Sequence, residues 1–517
     1  MRYKTVMRKL ALAVAAMAAS VQTAHAFCGF YVSGSDKKMF NDATQVVLMR
    51  DGTRTVLSMQ NDYKGPIEDF AMVVPVPVVL HEKDVKTLPQ HVFDHVDSLG
   101  SPRLVEYWEQ DPCYIEPPAP PPMATAGMAM RPMSKSADRE EKKATVKIEA
   151  KFAVGEYNIL ILSAKDSTGL GYWLQDNHYK IPANAEPLLR PYVQGGSKFF
   201  VAKVDPKKVH EVNGHVALSP LRFHYDSEDF SLPIRLGMAN SSGKQDLIVN
   251  IISATKRYEV ANYKNVTIPT NFDVKPEVKD RFGEFYAALF DKTVEQHPGA
   301  VVTEYAWTAT APLYPGAQSY HCDPCPPVEV DDQDMITLGA DIVGGTIQKG
   351  GFVLTRLHAR YGPNDMKDDL RFREAKGITG GREIRNANNE LEHGAVESAQ
   401  SFFQARYAIR HAWTGPIACA NPRRGIWGGP PAGGQTQLVA ATKLAFAPRG
   451  ALALPAVIKA PIPELGIKPA AATKSGGGGG SFAKPPTKAG FLFVGAAGAA
   501  LLIGLGGLMR RRRPRAE

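Results

Sequence analysis

Apolar and polar positions alternate along much of the chain with the two-residue period of a half-buried strand. Val46 to Arg50 and Thr53 to Gln60 are β-rich runs on either side of Asp51-Gly52. That pair predicts a tight hairpin, because both central turn positions need positive φ. Phe70 to Leu80 is again β-branched, and Pro75 and Pro77 within it predict a sheet edge or extended structure. Val146 to Ala164 reads as two strands around Gly155, and Lys198 to Val204, Asp246 to Ser253, Tyr258 to Val266 and Phe352 to Tyr361 read as further strands. From Phe402 to Trp413, Phe403, Ala405, Tyr407 and Ile409 alternate with Gln404, Arg406 and Arg410, which predicts a strand with one wet face.

A helical period appears in fewer places. Val92, Val96 and Leu99 recur at i, i+4 and i+7 within Leu88 to Leu99. Thr168 to Asn177 and Ala185 to Val193 predict short helices, and Gly195-Gly196 ends the second. Lys279 to Phe290 places Phe282, Phe285, Tyr286 and Leu289 on one face. The pattern is that of an α+β ectodomain, predominantly antiparallel, with a few short helices. Pro117 to Met133 and Lys135 to Lys143 interrupt it with Pro/Ala/Met and then charged residues, so 117–143 reads as a disordered insertion. Beyond about 430, Ala and Pro dominate, and the fold is expected to end there. The body, 27–430, is long enough for two subdomains.

Composition changes the picture only when the charge is located. The 517 residues are 44% hydrophobic and 22% charged, which fits a globular chain, and the net charge is +9. Four of those charges are Arg2, Lys4, Arg8 and Lys9, four are the balance of the last eight residues, and three are lysines between Lys474 and Lys488. The remaining residues, 27–473, carry about −2. A basic body seeking nucleic acid is therefore excluded, and the basicity belongs to the ends.

Each end reads as an address. Basic residues, an apolar run from Leu10 to Ala19 and the triplet Ala24-His25-Ala26 predict a secretory signal over 1–26. Phe27 before Cys28 argues against a lipoprotein. Residues 431–488 read as an Ala/Pro and Gly-rich stalk, with five consecutive glycines from Gly476 to Gly480. Ala489 to Met509 is 21 residues without a charge, enough to cross about 30 Å of hydrocarbon as a helix. The arginines of 510–517 then predict a cytoplasmic tail and an outside body. Gly-rich spacer, weak span and arginine cluster resemble the C-terminal sorting tails of some Gram-negative surface proteins, which a membrane protease removes. A permanent anchor is the other reading.

Asp51-Gly52-Thr53-Arg54-Thr55-Val56-Leu57, Phe70 through Pro77, Val154-Gly155-Glu156-Tyr157, Trp173-Leu174, Cys322-Asp323-Pro324-Cys325, Thr355 through Tyr361 and Asp369-Leu370-Arg371-Phe372-Arg373 occur in that order. They resemble the bacterial family of domain of unknown function 2330, over roughly residues 27–375. The resemblance implies an exported envelope protein and transfers no catalytic residue.

Several constellations carry possible chemistry. Cys322 and Cys325 form C-x-x-C beside His321, open to a local disulfide, a redox pair or half a metal site. Prolines 324, 326 and 327 disfavour the helix N-terminus on which a redox motif relies, and no second C-x-x-C completes a zinc site. Cys28, Cys113 and Cys419 remain, so at least one thiol of a monomer is unpaired. His91 and His95 at i, i+4 are a candidate metal pair or a solvated helix face. His210 and His215 are five apart around Gly214, which fits no zinc-protease helix. Met123, Met128, Met130 and Met133 offer soft thioethers but sit in the low-complexity insertion. Arg356, His358 and Arg360 share one strand face, as an exposed ion-paired face or an anion-binding patch.

No phosphate loop, nucleophile elbow, RNA-binding aromatic signature or cofactor motif is present. Three readings follow. The first is a membrane-tethered binding or structural ectodomain, held through 489–509, with an envelope protein or glycan as partner. The second is a thiol-redox or metal-handling protein using Cys322 and Cys325. The third is an envelope hydrolase whose residues are too dispersed to recognise.

Overall fold

Two sheets packed face to face, with helices on both outer surfaces, form the main body of the computed structural model. It describes residues 30–468, apart from 34–39, 65–69, 114–145, 178, 180–184, 213–214, 241–243, 311–329, 344–346, 348–350, 363–364, 382–383, 387–389, 432–438, 441–446, 448 and 451. The signal segment, the 117–143 insertion, Cys322 and Cys325, the Gly-rich stalk, the 489–509 span and the arginine tail lie outside the described residues. Among the described residues, no helix is long and apolar enough to cross a membrane.

The larger sheet has eleven strands. Its middle runs Val301–Thr310, Gly351–Tyr361, Gln245–Ser253, Phe40–Asp51, Arg54–Lys64 and Leu221–Asp226. Gln245–Ser253 is buried at all nine positions because both faces are covered, which explains why Leu247 to Ile252 is apolar on both faces apart from Asn250. It pairs in parallel with Phe40–Asp51 and antiparallel with Gly351–Tyr361. The second sheet is antiparallel in the order Phe30–Ser33, Phe70–Val76, Lys198–Val204, Tyr157–Ala164 and Val146–Val154. Val46, Leu48, Leu57, Phe223 and Val249 of the large sheet meet Met72, Val74, Ile159, Ile161 and Phe200 of the small one.

Helices Ser167–Asp176 and Ala185–Gln194 cover the outer face of the small sheet through Leu170, Leu174 and Leu189. Helix His91–Gly100 and the short helical segment from Asp332 to Ala340 cover part of the large sheet's other face, burying Val92, Phe93, Val96, Met335 and Leu338. Helix Phe282–Gln296 buries Phe285, Tyr286 and Leu289 in a cluster with Val302, Ala306, Phe403 and Tyr407. A third sheet joins Arg406–His411 in parallel to Arg103–Glu109, with short partners including Trp427–Gly428.

The α+β, mainly antiparallel expectation describes this fold, with some parallel pairs added. Several local expectations differ. The hairpin turn is Gly52-Thr53, not Asp51-Gly52: Asp51 ends its strand opposite Arg54, and Gly52 alone takes positive φ, at 56°. Glycine first in a two-residue loop suits a type II′ turn. Phe70–Val76 is an interior strand, not an edge. Its neighbour Phe30–Ser33 reaches only Val73, so Pro75 lies past the paired stretch and breaks no ladder there.

The Phe402–Trp413 run is two strands in two sheets, Phe402–Gln404 and Arg406–His411. Gln404 and Arg406 are buried rather than wet: the Arg406 guanidinium lies 5.1 Å from the centre of the Tyr107 ring, on the strand beside it. His210–Val212 and His215–Ala217 pair as antiparallel strands, so the two histidines belong to no helix.

The chain also stays in the fold beyond 430. Ile458, Ile462, Leu465 and Ile467 are buried against helix Phe282–Gln296 and its neighbours. Val274 bridges Ile458, Lys275 N–H donates to Val457 O and Lys459 N–H donates to Asp273 O, 2.8 and 2.9 Å respectively. With Leu454 and Val457, Ile458, Ile462, Leu465 and Ile467 make six buried apolar side chains, which outweigh the Ala/Pro composition that suggested a stalk. A chain ended after residue 470 is expected to melt like the full-length protein, whereas one ended after residue 430 melts lower or aggregates. Ile458→Ala, which leaves a cavity at the same place, is expected to cost about 2–5 kcal/mol in denaturant unfolding.

Candidate functional site

Alternation along Gly351–Tyr361 puts Leu354, Arg356, His358 and Arg360 on one face, and that face points inward. Arg356 is fully buried and His358 is 1% exposed, beneath helices His91–Gly100 and Phe282–Gln296. Glu304 reaches them from the next strand at a β-bulge, where Thr303 opposes Leu357 and Tyr305 opposes Arg356. The extra residue turns its side chain onto the face that Arg356 and His358 already share.

The groups form one continuous line of ion pairs. Arg356 Nη1 donates to Asp97 Oδ1 at 2.7 Å, and its Nε donates to Glu304 Oε2 at 2.7 Å. His358 donates through Nδ1 to Glu304 Oε1 at 2.7 Å and through Nε2 to Asp246 Oδ1 at 3.1 Å. Arg449 Nη2 donates to Asp246 Oδ2 at 2.9 Å. Arg360 and Arg449 both pair with Asp291 on helix Phe282–Gln296, at the more exposed end. The Tyr286 hydroxyl donates to Glu304 Oε1 at 2.9 Å, and the Phe290 ring stacks on His358 at 3.7 Å.

The line fixes the protonation of His358. Ionised carboxylates only accept, so an imidazole touching one with each nitrogen must donate from both. His358 is therefore an imidazolium. Four carboxylates then face three guanidinium groups and one imidazolium, and the buried charge cancels. Burial pushes the His358 pKa down, but Glu304 and Asp246 outweigh it and the value rises. Burial pushes Glu304 up, yet His358 and Arg356 hold it down at about 2. Asp246 is likewise lowered, its burial outweighed by His358, Arg449 and Arg360.

The sequence named Arg356, His358 and Arg360 but none of their carboxylates. Glu304 lies within the β-branched and aromatic run Val301–Thr310, and an acid in such a run was the available signal. Asp97 sits on the apolar face of its helix, one turn after Phe93. Internal carboxylates take up the charge that an external anion would have met. His95 pairs with Asp334 at 2.7 Å while His91 stays exposed, and no group of three potential metal ligands occurs among the described residues.

A second constellation surrounds a disulfide between Cys113 and Cys419, 306 residues apart. It pins the loop after Arg406–His411 to the end of strand Arg103–Glu109. Glu109 accepts from the backbone N–H of Trp413 at 3.0 Å, from that of Gly425 at 2.8 Å and from Arg424 Nε at 3.1 Å. Between them opens a cleft of about 410 Å³, lined by Gln110, Asp111, Trp413, Arg423 and Ile426 among others. The Trp413 indole lies directly on Gly415, where a Cβ would come within 2.5 Å of the ring. Arg423 has no side-chain partner among the described residues, and Ile417 and Ile426 are 45% and 40% exposed. A planar aromatic, an exposed guanidinium and exposed aliphatic carbons on a covalently held loop suit recognition better than bond-making.

Residues 22–373 match a family described as an uncharacterized protein conserved in bacteria (DUF2330). No curated protein and no solved structure matches the chain.

The ion line predicts a two-sided pH dependence. Glu304 is depressed from 4.5, so its contribution is present above about 4.5 and is lost as pH falls toward 2. His358 is raised from 6.5, so its contribution is complete below 6.5 and is lost as pH rises through the higher folded value. Urea unfolding across pH is expected to show greatest stability between those limits. His358→Leu leaves Glu304 and Asp246 without their shared cation; it is expected to cost about 3–5 kcal/mol near neutrality and to remove the alkaline decline.

Proposed function

The chain belongs to the bacterial family DUF2330, and on that premise we propose that it is an extracytoplasmic binding module rather than an enzyme. The Cys113–Cys419 disulfide carries this reading, because such bonds persist where the surroundings are oxidising. In the proposal the same bond has a second role: it holds the Trp413 loop in a binding-ready shape, so that little ordering entropy opposes association. The charged side chains most suggestive of catalysis, His358 and Glu304, are buried and committed to one another, and neither lines the Trp413 cleft. The partner is another envelope component, met through the Trp413, Arg423 and Ile426 face.

The tether belongs to the proposal as well. It is supported by the signal-like first 26 residues, the uncharged stretch 489–509 and the arginines that follow. Together these orient the body outside and the last residues in the cytoplasm.

Protease added to spheroplasts expressing the full chain is expected to digest the body and spare an epitope placed on the arginine tail. Cys113 and Cys419 are expected to resist alkylation until reduced. A protected body, or free thiols at those two positions in growing cells, overturns the location. Co-sedimentation with purified cell-wall sacculi and with outer-membrane vesicles tests the binding face. Trp413→Ala combined with Arg423→Glu is expected to lower retention about tenfold or more with an unchanged melting temperature. Equal retention of variant and native chain by both probes overturns that face as the binding surface.

A further inference from the structure

A second cleft, of about 220 Å³, opens at the rim where the two large sheets meet. One wall is the end of strand Leu221–Asp226 and the loop after it, and the other is the end of strand Phe70–Val76 with the turn after helix Ala185–Gln194. Tyr225 lies in it, 8% exposed, and its hydroxyl has no partner among the described residues. The side-chain hydroxyls of Ser197, Ser227 and Ser231 line the same cleft and are equally without partners, as is the carboxylate of Asp229.

Tyr225 is one of four hydroxyls that face this one small space and that no described protein group uses. Burial pushes the Tyr225 phenol up to about 12, so it stays a donor at any physiological pH.

Both walls are held before any ligand arrives. Arg50 Nη2 donates to Ser227 O at 2.9 Å and to Glu228 O at 3.2 Å, and Ser227 N–H donates to Thr53 O at 3.0 Å. On the other side Asp369 Oδ1 accepts from the Tyr192 hydroxyl at 2.6 Å and from Ile234 N–H at 2.9 Å. Asp369 is thus committed to the wall, and Asp229 is the carboxylate left to a ligand.

The lining states what fits. Hydroxyls donate and accept, so they suit a partner that does both. No lysine or arginine lines the cleft, and two carboxylates do, which disfavours an anion. Pro75, Pro77 and Phe223 supply apolar surface for C–H groups. The volume lies below the usual range of about 300–1,000 Å³ for drug-sized ligands, so the occupant is small. We infer that this cleft binds a neutral polyhydroxylated ligand of single-ring size, a hexose or one terminal hexose of a glycan, with Tyr225 and the serines on its hydroxyls and Asp229 accepting from a hydroxyl pair. The site is separate from the Trp413 face and does not depend on it.

Isothermal titration and saturation-transfer NMR on the full-length chain in detergent test this, with glucose, galactose, mannose, glucuronate and glucosamine as probes. At least one neutral hexose is expected to bind saturably, and glucuronate about tenfold more weakly or not at all. Tyr225→Phe deletes only a hydroxyl that no protein group uses, so the melting temperature is expected to hold while hexose affinity falls about fivefold. Asp229→Asn is expected to weaken it about tenfold. Absence of saturable binding by every neutral hexose overturns the inference and leaves the hydroxyls to water. Binding indifferent to both substitutions overturns it as well. A preference for glucosamine that Asp229→Asn abolishes assigns the cleft to ammonium ligands instead, which also overturns it.

Discussion

Everything on the helical side of the large sheet depends on one imidazolium held between two carboxylates. A charge as deeply buried as His358 is tolerated only when its partners are close and complete. Glu304 and Asp246 supply both, and each passes the requirement outward, Glu304 to Arg356 and Asp97, Asp246 to Arg449. The line therefore touches two helices, three adjacent strands and the C-terminal strap. None of these can shift alone without exposing an unpaired charge to a low dielectric. Apolar packing brings the layers together; the ion line fixes how they are aligned.

That alignment explains why the last packed residues belong to the fold. Arg449 lies just before the buried segment from Leu454 to Ile467, and it closes the solvent end of the line on Asp246 and Asp291. The strap thus contributes apolar burial and a counter-charge together. The two clefts occupy other places, at the rim of the sandwich and on the disulfide-held loop, where hydroxyls and an indole are left to face solvent.

Strand and helix periods were legible where one face is wet or where a helix carries a single apolar stripe. Lys198–Val204 and Ala185–Gln194 are close to their expected bounds. Periodicity failed where burial is two-sided. Gln404 and Arg406 look like solvent-facing residues and are interior, because a second sheet and an aromatic ring cover them. The same ambiguity hid the meaning of Arg356 and His358: a polar residue in a strand reads as exposed unless its partner is known, and Glu304 and Asp97 lie 52 and 259 positions away. The Tyr225 cleft gathers residues from five separate segments, and no local pattern carries that information.

The disulfide also constrains the order of events during synthesis. A chain made from its N-terminus presents Cys28 and Cys113 first, Cys322 and Cys325 next, and Cys419 last. The native bond skips two cysteines and joins the second to the fifth. An oxidant acting as thiols emerge would close Cys113 onto a wrong neighbour. The Cys113 thiol must be kept reduced, or be reshuffled, until some 300 further residues have been made, so the covalent clasp on the Trp413 loop is among the last things this protein forms.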